Sequence, residues 1–268
     1  MVDLIGSGTE DDPVRGVLLE SGKEIGAEWV FGADGRASTV AARLGLEKTR
    51  PLAGEVSYLM AYWRGLGEEP FATSTIHRDQ MLNRWAAEDG AHLLCAWGDA
   101  EFTRGSKEER LERYLSLLRN FPETVAPEEL EEAEMISEVI VAPESLMRGY
   151  FRKPGGPGWA LVGDSCHFKH PGTAQGIGDA VAQARYVAAG VAGADPRLEA
   201  YEAWRDRRAA EHYERSYAWG RFPGPPSEAL FKGWASEPDA AQDMRDSFTR
   251  LVEPSQVMSQ ERLGRWFG

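Results

Sequence analysis

Residues Trp159 to Ala189 read WALVGDSCHFKHPGTAQGIGDAVAQARYVAA and decide the fold. The apolar run from Trp159 to Val162 predicts a buried parallel strand, which a sharp turn at Gly163 and Asp164 ends. From Gly176 onwards apolar residues recur every three or four positions, which predicts a helix whose small residues allow close packing. The stretch is therefore predicted to be a strand, a loop and a helix, with a carboxylate at the carboxyl end of the strand.

The loop that joins this strand to this helix, Pro171 to Gly176, contains few large side chains. A flat ligand can approach the backbone N–H groups at the beginning of the helix across such a loop. The N-terminal end of a helix also carries a partial positive charge and binds anions. We therefore expect a site for a flat ligand with negative charge.

The longer string GPGWALVGDSCHFKHPGTAQGIGDA resembles the second flavin-binding motif of FAD-dependent monooxygenases of the para-hydroxybenzoate hydroxylase type. In one bacterial branch this motif runs close to GDAGYHKDPxTAQGIxDA; Lys169 matches its lysine, and His170 stands where it has an aspartate. The resemblance implies that Asp164 holds a hydroxyl of the ribityl or ribose region of FAD, and that the loop passes along the isoalloxazine ring. The cofactor-binding residues it implies here are Gly163, Asp164, Pro171, Thr173, Ala174, Gln175, Gly176 and Ile177.

A second stretch, Trp29 to Val40 (WVFGADGRASTV), resembles the DG motif of the same family. In that motif a strand ends at an Asp-Gly turn and a helix begins at the serine. The resemblance places Asp34 and Gly35 near the flavin and its pyrophosphate. One position departs from the pattern, because Ala41 stands where the family has an arginine. The two motifs occur in the family's order, and the implied cofactor is FAD.

The opening segment of that family has no counterpart in the sequence. The family begins with a strand, a G-x-G-x-x-G turn and a helix, which cradle the pyrophosphate. Here Val2 to Ile5 and Val14 to Leu19 predict two strands that correspond to the middle of the family's fold. A truncated gene product, one half of a split protein and a natural remnant all stay open as explanations.

The region after the DG motif predicts a mainly antiparallel sheet. Asp89-Gly90 is a strong hairpin turn, and the strand-like runs are Val56 to Arg64, Thr73 to Arg78, Met81 to Ala87 and Ala91 to Trp97. In the resembling family such a sheet is the floor of the substrate pocket. Tyr58, Met60 and Tyr62 are therefore candidates for that pocket, with core packing as the alternative. Lys169, in a small basic cluster with His167 and His170, is a further candidate for holding an acidic substrate or for stabilising reduced flavin, with solvent exposure as the alternative.

The remaining segments are predicted to be mostly helical. Lys107 to Phe121 and Leu198 to Arg215 have apolar residues at helical spacing, and Glu128 to Glu134 is predicted to be a solvated helix face. Phe222 to Pro226 predicts a break before the last helices, Ser227 to Phe248 and Ser259 to Phe267. The predicted parts are 1–50 with the DG motif, 51–145 as the substrate sheet, 146–215 with the second flavin motif and long helix, and 216–268 as a C-terminal helical region.

The composition argues against several classes of partner and of site. The 268 residues carry a formal net charge of -13, which argues against a nucleic-acid or anionic membrane partner. No apolar run of about 18 residues appears, so a cytoplasmic protein is the expectation. Cys95 and Cys166 are far apart, and no metal site or disulfide is predicted. No amino-acid nucleophile is proposed either.

The predicted fold class is α/β (α+β): the C-terminal portion of a glutathione-reductase-like FAD-binding fold, with an antiparallel substrate-domain sheet and C-terminal helices. The resemblance implies a flavin monooxygenase that oxidises a small organic substrate with NAD(P)H and O2. A related flavin reductase or halogenase is one alternative. The other is a catalytically incomplete half or remnant that acts as a complementing or a binding chain, because a site without its pyrophosphate cradle should bind FAD weakly. The partners expected besides the substrate and NAD(P)H are an N-terminal complementing segment or a second copy of the chain.

Overall fold

The computed structural model of the chain describes residues 1–67, 72–77, 80–194, 198–219 and 232–267. The strands are β1 (Asp3–Leu4), β2 (Gly16–Leu18), β3 (Glu24–Gly26), β4 (Val30–Gly32), β5 (Ser57–Arg64), β6 (Thr73–His77), β7 (Gln80–Ala86), β8 (Ala91–Gly98), β9 (Glu134–Met135), β10 (Ile140–Ala142), β11 (Tyr150–Phe151), β12 (Gly155–Gly156), β13 (Trp159–Leu161) and β14 (His167–Phe168). The α-helices are α1 (Thr39–Arg43), α2 (Lys107–Arg119), α3 (Pro127–Glu132), α4 (Gly176–Ala189), α5 (Tyr201–Trp219), α6 (Pro238–Phe248), α7 (Pro254–Val257) and α8 (Gln260–Phe267).

The chain forms two compact units. Unit 1 comprises Met1–Leu52, Arg148–Tyr217 and Gln242–Ser259, and it contains both motif stretches. Unit 2 comprises Ala53–Met147, Ala218–Ala241 and Gln260–Gly268. The last part of the chain thus contributes residues to both units.

The central feature of unit 1 is a three-stranded sheet in the order β12-β13-β4. β13 pairs with β4 in parallel, with Trp159 opposite Val30 and Leu161 opposite Gly32. The predicted strand before Gly163 and the predicted strand before the Asp-Gly turn are therefore confirmed, and they are neighbours. Gly158 makes the turn into β13 with a φ of +77°, and a Cβ there would lie 1.9 Å from the Val14 carbonyl oxygen. Only glycine fits this turn.

Both faces of β13 are covered, as is usual for a strand in a parallel pair. Trp159 and Leu161 point to one face, where they pack with Val14, Val30 and other apolar residues. Ala160 points to the opposite face, and its small side chain lets residues of α4 and α5 approach the strand; its neighbours there include Val187, Leu198 and Tyr201. The alternation of side chains along a strand explains this division.

Unit 2 contains the predicted antiparallel sheet, in the order β10-β5-β8-β7-β6, with β9 also pairing with β5. Asp89 and Gly90 have φ values of 54° and 68°, which matches the predicted hairpin between β7 and β8. One face of the sheet packs against α2, whose buried residues include Tyr114 and Leu118. The Trp63 indole N–H donates to the Tyr114 hydroxyl at 2.9 Å, and that hydroxyl donates to the Leu94 carbonyl at 3.1 Å.

The acidic run is not wholly a solvated helix face. Arg84, 5% exposed on β7, forms an ion pair with Glu129 of α3 at 3.0 Å. The same carboxylate accepts a hydrogen bond from the Gly67 N–H. The prediction failed for Glu129 because an acidic pattern does not show that a buried arginine lies across from it.

The bounds of α5 differ from their prediction. α5 begins at Tyr201 rather than Leu198, because Leu198 has a φ of 52°, which an α-helix cannot contain. The predicted break at Phe222 to Pro226 lies outside the described residues, as does the beginning of the Ser227 to Phe248 helix. None of the helices found in the described ranges is long and apolar enough to cross a membrane.

We expect Leu94→Ala to lower the free energy of unfolding by about 2–5 kcal/mol, because it opens a cavity in a packed core. Leu94 is 0% exposed in the cluster against α2. Leu93→Ala is the matched control, since the half-buried Leu93 points to the other face of the sheet. Chemical denaturation measures both losses, and equal losses would contradict this assignment of faces.

Candidate functional site

A cavity of about 520 Å³ lies in unit 1 at the carboxyl ends of β4 and β13. Two parallel neighbours end at the same edge of a sheet, so the turns that follow them meet there. Ala33 and Gly35 line the cavity from the turn after β4, and Gly163 and Asp164 from the turn after β13. Gly176 and Ile177 line it from the beginning of α4.

The beginning of α4 is open towards this cavity. The first amide to bond within the helix is that of Asp179, which donates to the Gln175 carbonyl at 3.0 Å. Gln175 is the cap residue, and its side chain accepts no hydrogen bond from the N–H groups of the first turn. No atom lies within 4 Å of the position a Cβ would take on Gly176 or Gly178, and Ile177 is 82% exposed. The N–H groups of this first turn can therefore donate to a bound ligand.

Asp164 is half-buried and lines the cavity. Its backbone carbonyl accepts a hydrogen bond from the Tyr150 hydroxyl at 2.6 Å, but in the described part of the chain no group donates to its carboxylate. Burial raises the pKa of Asp164; the Arg36 guanidinium opposes this shift, and the Asp179 carboxylate adds to it. A ligand hydroxyl that donated to this carboxylate would stabilise its charged form.

Asp34 is used differently. Its carboxylate accepts hydrogen bonds from the N–H groups of Thr39 at 2.7 Å and Val40 at 3.2 Å, so it caps the beginning of α1. Burial by itself would raise the pKa of Asp34, but the hydrogen bonds from Ser38 and Val40 lower it below its ordinary value. The cavity is lined instead by Gly35 and by Ala33. In this turn the Asp34 side chain therefore contacts α1, while the residues on either side of it line the cavity.

The predicted loop residues fall into two groups. Pro171 and Ala174 line the cavity together with Gly176 and Ile177. Thr173 and Gln175 are buried, at 3% and 5% exposure. The Gln175 side chain donates to the Ser247 carbonyl at 2.8 Å, which ties the loop to the segment after α6. Sequence reasoning did not separate the two groups, because both belong to one contiguous motif.

Lys169 is buried rather than solvent-exposed, and it forms an ion pair with Asp179 of α4. Arg250 forms a second ion pair with the same carboxylate, and the His167 Nε2 lies 3.7 Å from it. Burial lowers the pKa of Lys169 to about 8, although Asp179 acts in the opposite direction. Burial by itself would raise the pKa of Asp179, but Lys169 and Arg250 outweigh it and lower that pKa.

Lys169, Asp179 and Arg250 form a charge cluster, of which the sequence indicated Lys169 but neither Asp179 nor Arg250. Asp179 lies inside the quoted motif, and its place in the first turn of a predicted helix was the available indication. Arg250 lies in no motif. Two cations share the Asp179 carboxylate, so this cluster carries an excess of positive charge next to the first turn of α4; of its members, Lys169 and Asp179 line the cavity.

The predicted substrate residues lie on β5 of unit 2. Tyr58 is 4% exposed and packs edge-on against Trp97, with ring centroids 4.5 Å apart. Met60 is half-buried beside the same cluster, and Tyr62 is 38% exposed. The alternation along β5 puts all three on one face of the sheet, opposite the face that α2 covers. Tyr58 thus belongs to a core cluster, and a role of these residues in a substrate pocket stays a prediction.

A cavity at the carboxyl ends of parallel strands, next to the beginning of a helix, is typical of the class of α/β proteins that bind ligands at that edge of the sheet. Within it, residues 6–216 match the family described as "FAD binding domain". The match covers most of the chain, which therefore belongs to this family, and its cofactor is FAD. No curated protein matches the sequence.

Several solved flavoproteins share this fold. A variant of HpxO from Klebsiella pneumoniae complexed with FAD matches with a TM-score of 0.65 and 16% identity, over 94% of this chain and 64% of that one. The flavin-dependent brominase Bmp2 matches with a TM-score of 0.64 and 18% identity, over 93% of this chain and 63% of that one. The tetrameric form of 2-methyl-3-hydroxypyridine-5-carboxylic acid oxygenase matches with a TM-score of 0.60 and 19% identity, over 90% of this chain and 64% of that one. The chain spans less than two thirds of the length of each of the three.

We expect the stability of unit 1 to fall as the pH drops from 6.5 towards 4. Burial lowers the pKa of His170 from its ordinary value of 6.5 to about 4. Between these pH values the unfolded chain binds a proton at this histidine and the folded chain does not. The free energy of unfolding therefore falls by up to about 1.4 kcal/mol for each pH unit. His170→Asn should reduce this slope while keeping an acceptor for the Gly172 N–H, which donates to the His170 Nδ1 at 3.1 Å.

His170→Ala is the control, because it removes both the proton and the acceptor. We expect it to reduce the same slope and also to lower stability at every pH. Urea denaturation at a series of pH values measures all three proteins. An unchanged slope in His170→Asn would show that another group controls the acid sensitivity.

Proposed function

We propose that the cavity is the FAD site of a flavin monooxygenase of the para-hydroxybenzoate hydroxylase type, and that the chain is the C-terminal portion of its glutathione-reductase-like fold. One observation carries the proposal. The parallel pairing of β4 and β13 brings the Asp34–Gly35 turn, the Gly163–Asp164 turn and the open end of α4 around a single cavity.

The residues present fit FAD chemically. A ligand with ring carbonyls needs donors, and the first-turn N–H groups of α4 are unbonded within the helix. A hydroxyl group on a ligand needs a hydrogen-bond acceptor. In the described part of the chain no residue donates a hydrogen bond to the Asp164 carboxylate, so its oxygens can accept one from such a hydroxyl. Gly176 and Gly178 leave room for a flat ring beside the backbone. Pro171, Thr173, Ala174 and Gln175 shape and brace the loop.

When bound, FAD supplies the redox chemistry with NAD(P)H and O2. The chain's own contribution is electrostatic. The N-terminal end of α4 and the excess positive charge of Lys169 and Arg250 over Asp179 would stabilise negative charge on a bound ligand. Burial of Lys169 and Asp179 strengthens this effect, since water screens buried charges less.

The proposed substrate is a small organic molecule, and Tyr58, Met60 and Tyr62 are the proposed lining. The similar structures include an oxygenase and a brominase, so a halogenase or a flavin reductase is a related possibility for this chain. The products distinguish the three. A hydroxylated substrate indicates a monooxygenase, a halogenated one a halogenase, and NAD(P)H oxidation without a modified substrate a reductase.

We expect Asp164→Asn to weaken FAD binding about 10- to 100-fold, because hydrogen bonds to a charged group contribute about 1.5–3 kcal/mol. Asp11→Asn is the matched control, since Asp11 is exposed in the loop between β1 and β2. Quenching of flavin fluorescence during titration measures both affinities. Equal FAD affinities in the two variants would contradict the assignment of Asp164.

A second candidate function is that of a complementing half, which forms a complete flavin site only together with another polypeptide segment. The unpaired edge of β4 supports this candidate. The Val30 N–H donates to the Gly158 carbonyl, and the Gly32 carbonyl accepts from the Val162 N–H, both at 2.9 Å. Val30 and Gly32 therefore face β13, and the backbone groups of Phe31 between them face the other edge. In the described part of the chain no strand pairs with that edge. Such an edge is a template for a further strand.

The exposed face of α4 supports the same candidate. Ile177 and Val181 are 82% and 54% exposed, and Ala184 and Ala188 continue the stripe at helical spacing. Phe31, 48% exposed, lies opposite Ala160, against which Val187 of α4 packs. An added strand and its connection would cover this apolar surface. The added segment would supply the pyrophosphate cradle, and a second copy of the chain is the competing occupant.

Co-expression with the polypeptide encoded directly upstream should give a complex that binds FAD and oxidises NAD(P)H. We expect Val181→Glu to abolish the complex, because it places a charge in the apolar stripe. Ile140→Glu, at a 45% exposed apolar position on β10 of unit 2, should leave it intact. Size-exclusion chromatography with light scattering measures association. A dimer of the chain alone that Val181→Glu disrupts would assign the stripe to self-association, and a monomer in every mixture would exclude both.

A further inference from the structure

The side chain of Gln183 on α4 connects the turn after β13 with β14 in unit 1. Its Oε1 accepts a hydrogen bond from the Gly163 N–H at 2.7 Å, and its Nε2 lies 2.9 Å from the His167 Nδ1. The turn lies close to the helix, because a Cβ on Gly163 would be 3.1 Å from the Ala180 Cβ. One side chain can therefore span the gap. We call Gly163, Gln183 and His167, with these two hydrogen bonds, the amide bridge.

The amide bridge is buried. Gln183 is 2% and His167 is 3% exposed. Glutamine is mostly found at protein surfaces, and when it is buried both ends of its amide need partners. Here the oxygen and the nitrogen each have one, so this residue is placed to hold two groups at once.

The Gly163 N–H fixes the orientation of this amide. A backbone N–H can only donate, so the atom that faces it is the amide oxygen. The amide nitrogen therefore faces His167 and donates to the Nδ1, which accepts and carries no proton. In a neutral imidazole the proton then lies on Nε2. A backbone N–H thus determines the tautomer of a histidine.

This tautomer directs an N–H towards a carboxylate. The His167 Nε2 lies 3.7 Å from the Asp179 Oδ2. Asp179 and Gln183 are four residues apart on α4, so their side chains lie on one face of the helix and face the two nitrogens of the ring. The carboxylate is the one that Lys169 and Arg250 share. The amide bridge therefore connects the backbone of the turn to the charge cluster.

His167 is neutral in the folded chain. Burial lowers its pKa to about 3; Asp179 acts in the opposite direction, and Lys169, Arg205 and Arg250 lower it further. A neutral ring keeps the unprotonated Nδ1 that the amide bridge requires.

We propose that Gln183 is a positioning residue of the cavity, which holds the turn of Gly163 and Asp164 in place and fixes the tautomer of His167. Gly163, Asp164 and His167 all line the cavity, and Gln183 acts through them. The amide bridge itself rests on the geometry alone, whereas its importance for FAD binding rests on the proposed function.

Nuclear magnetic resonance of the full chain, labelled with 15N and without FAD, tests the tautomer directly. The signals that are lost in His167→Asn identify this ring. We expect the His167 Nδ1 to give the signal of an unprotonated nitrogen at neutral pH, and the Nε2 that of a protonated one. The opposite assignment, or a doubly protonated ring, would overturn the proposal.

Two variants at Gln183 separate its two hydrogen bonds. Gln183→Met has a similar size but no acceptor, so the Gly163 amide should exchange with solvent about five- to tenfold faster, the effect of one ordinary hydrogen bond. Gln183→Glu keeps that acceptor and should leave the exchange slow. It also places a carboxylate at the His167 Nδ1, so the ring should be doubly protonated at neutral pH.

Gln242→Glu is the matched control, because it adds the same charge at an exposed position on α6. We expect the Gly163 exchange and the His167 signals of this variant to be those of the unaltered chain. Unchanged exchange in Gln183→Met, or an Nδ1 that stays unprotonated in Gln183→Glu, would overturn the proposal.

Titration of the same proteins with FAD tests the consequence for the cofactor. We expect Gln183→Met to weaken FAD binding about three- to tenfold, because the turn that carries Asp164 is no longer held. Equal FAD affinity in Gln183→Met and the unaltered chain would overturn the link to the cofactor. If the unaltered chain does not bind FAD, while the exchange and resonance results are as expected, the proposed function fails and the amide bridge stands.

Discussion

The parallel pairing of β4 with β13 is the constraint on which the rest of unit 1 depends. The two strands are far apart in the sequence, yet Val30 lies opposite Trp159 and Gly32 opposite Leu161. A parallel pair places both carboxyl ends at one edge, and the chain needs a long connection to return to that edge. Every cavity-lining group follows one of these two strands or begins the helix after the second.

Charge is the second organising element of the site. Asp179 holds Lys169 and Arg250 in a nearly dry environment, where a carboxylate without partners would be costly. Arg250 comes from the segment after α6, and Gln175 binds the carbonyl of Ser247 in the same segment. The residues at the end of α6 and just after it therefore contact both the loop before α4 and the first turn of α4. They add one more positive charge than Asp179 can balance.

Local pattern was enough to predict the elements that position the site. The change from an apolar run to helical spacing located β13 and α4, Asp89-Gly90 located the hairpin, and Ser38 located the beginning of α1, where its hydroxyl accepts from the Ala41 N–H at 3.0 Å. The resemblance also identified FAD. Each of these depends on a few adjacent residues, for which backbone preferences and periodicity are informative.

The errors concern long-range partners and burial. Glu129 was predicted to lie on a solvated helix face, because its partner Arg84 is distant in sequence. Solvent exposure was the alternative for Lys169, which instead lies buried in an ion pair with Asp179, a carboxylate that it shares with the distant Arg250. A role of Asp34 as a ligand to the cofactor stays a prediction; its carboxylate accepts hydrogen bonds from the N–H groups of Thr39 and Val40 at the beginning of α1. The pattern in a motif identifies which residues share a loop, but the direction of each side chain depends on what packs behind the loop.

Hydrogen exchange of the purified chain with and without saturating FAD locates the flavin site. The proposed site is the open end of α4 and the turn after β13, so we expect slower exchange of the amides of residues 176–178 and of residues 163–165 when FAD is present. Protection by FAD in another part of the chain, with unchanged exchange at residues 176–178, would contradict it.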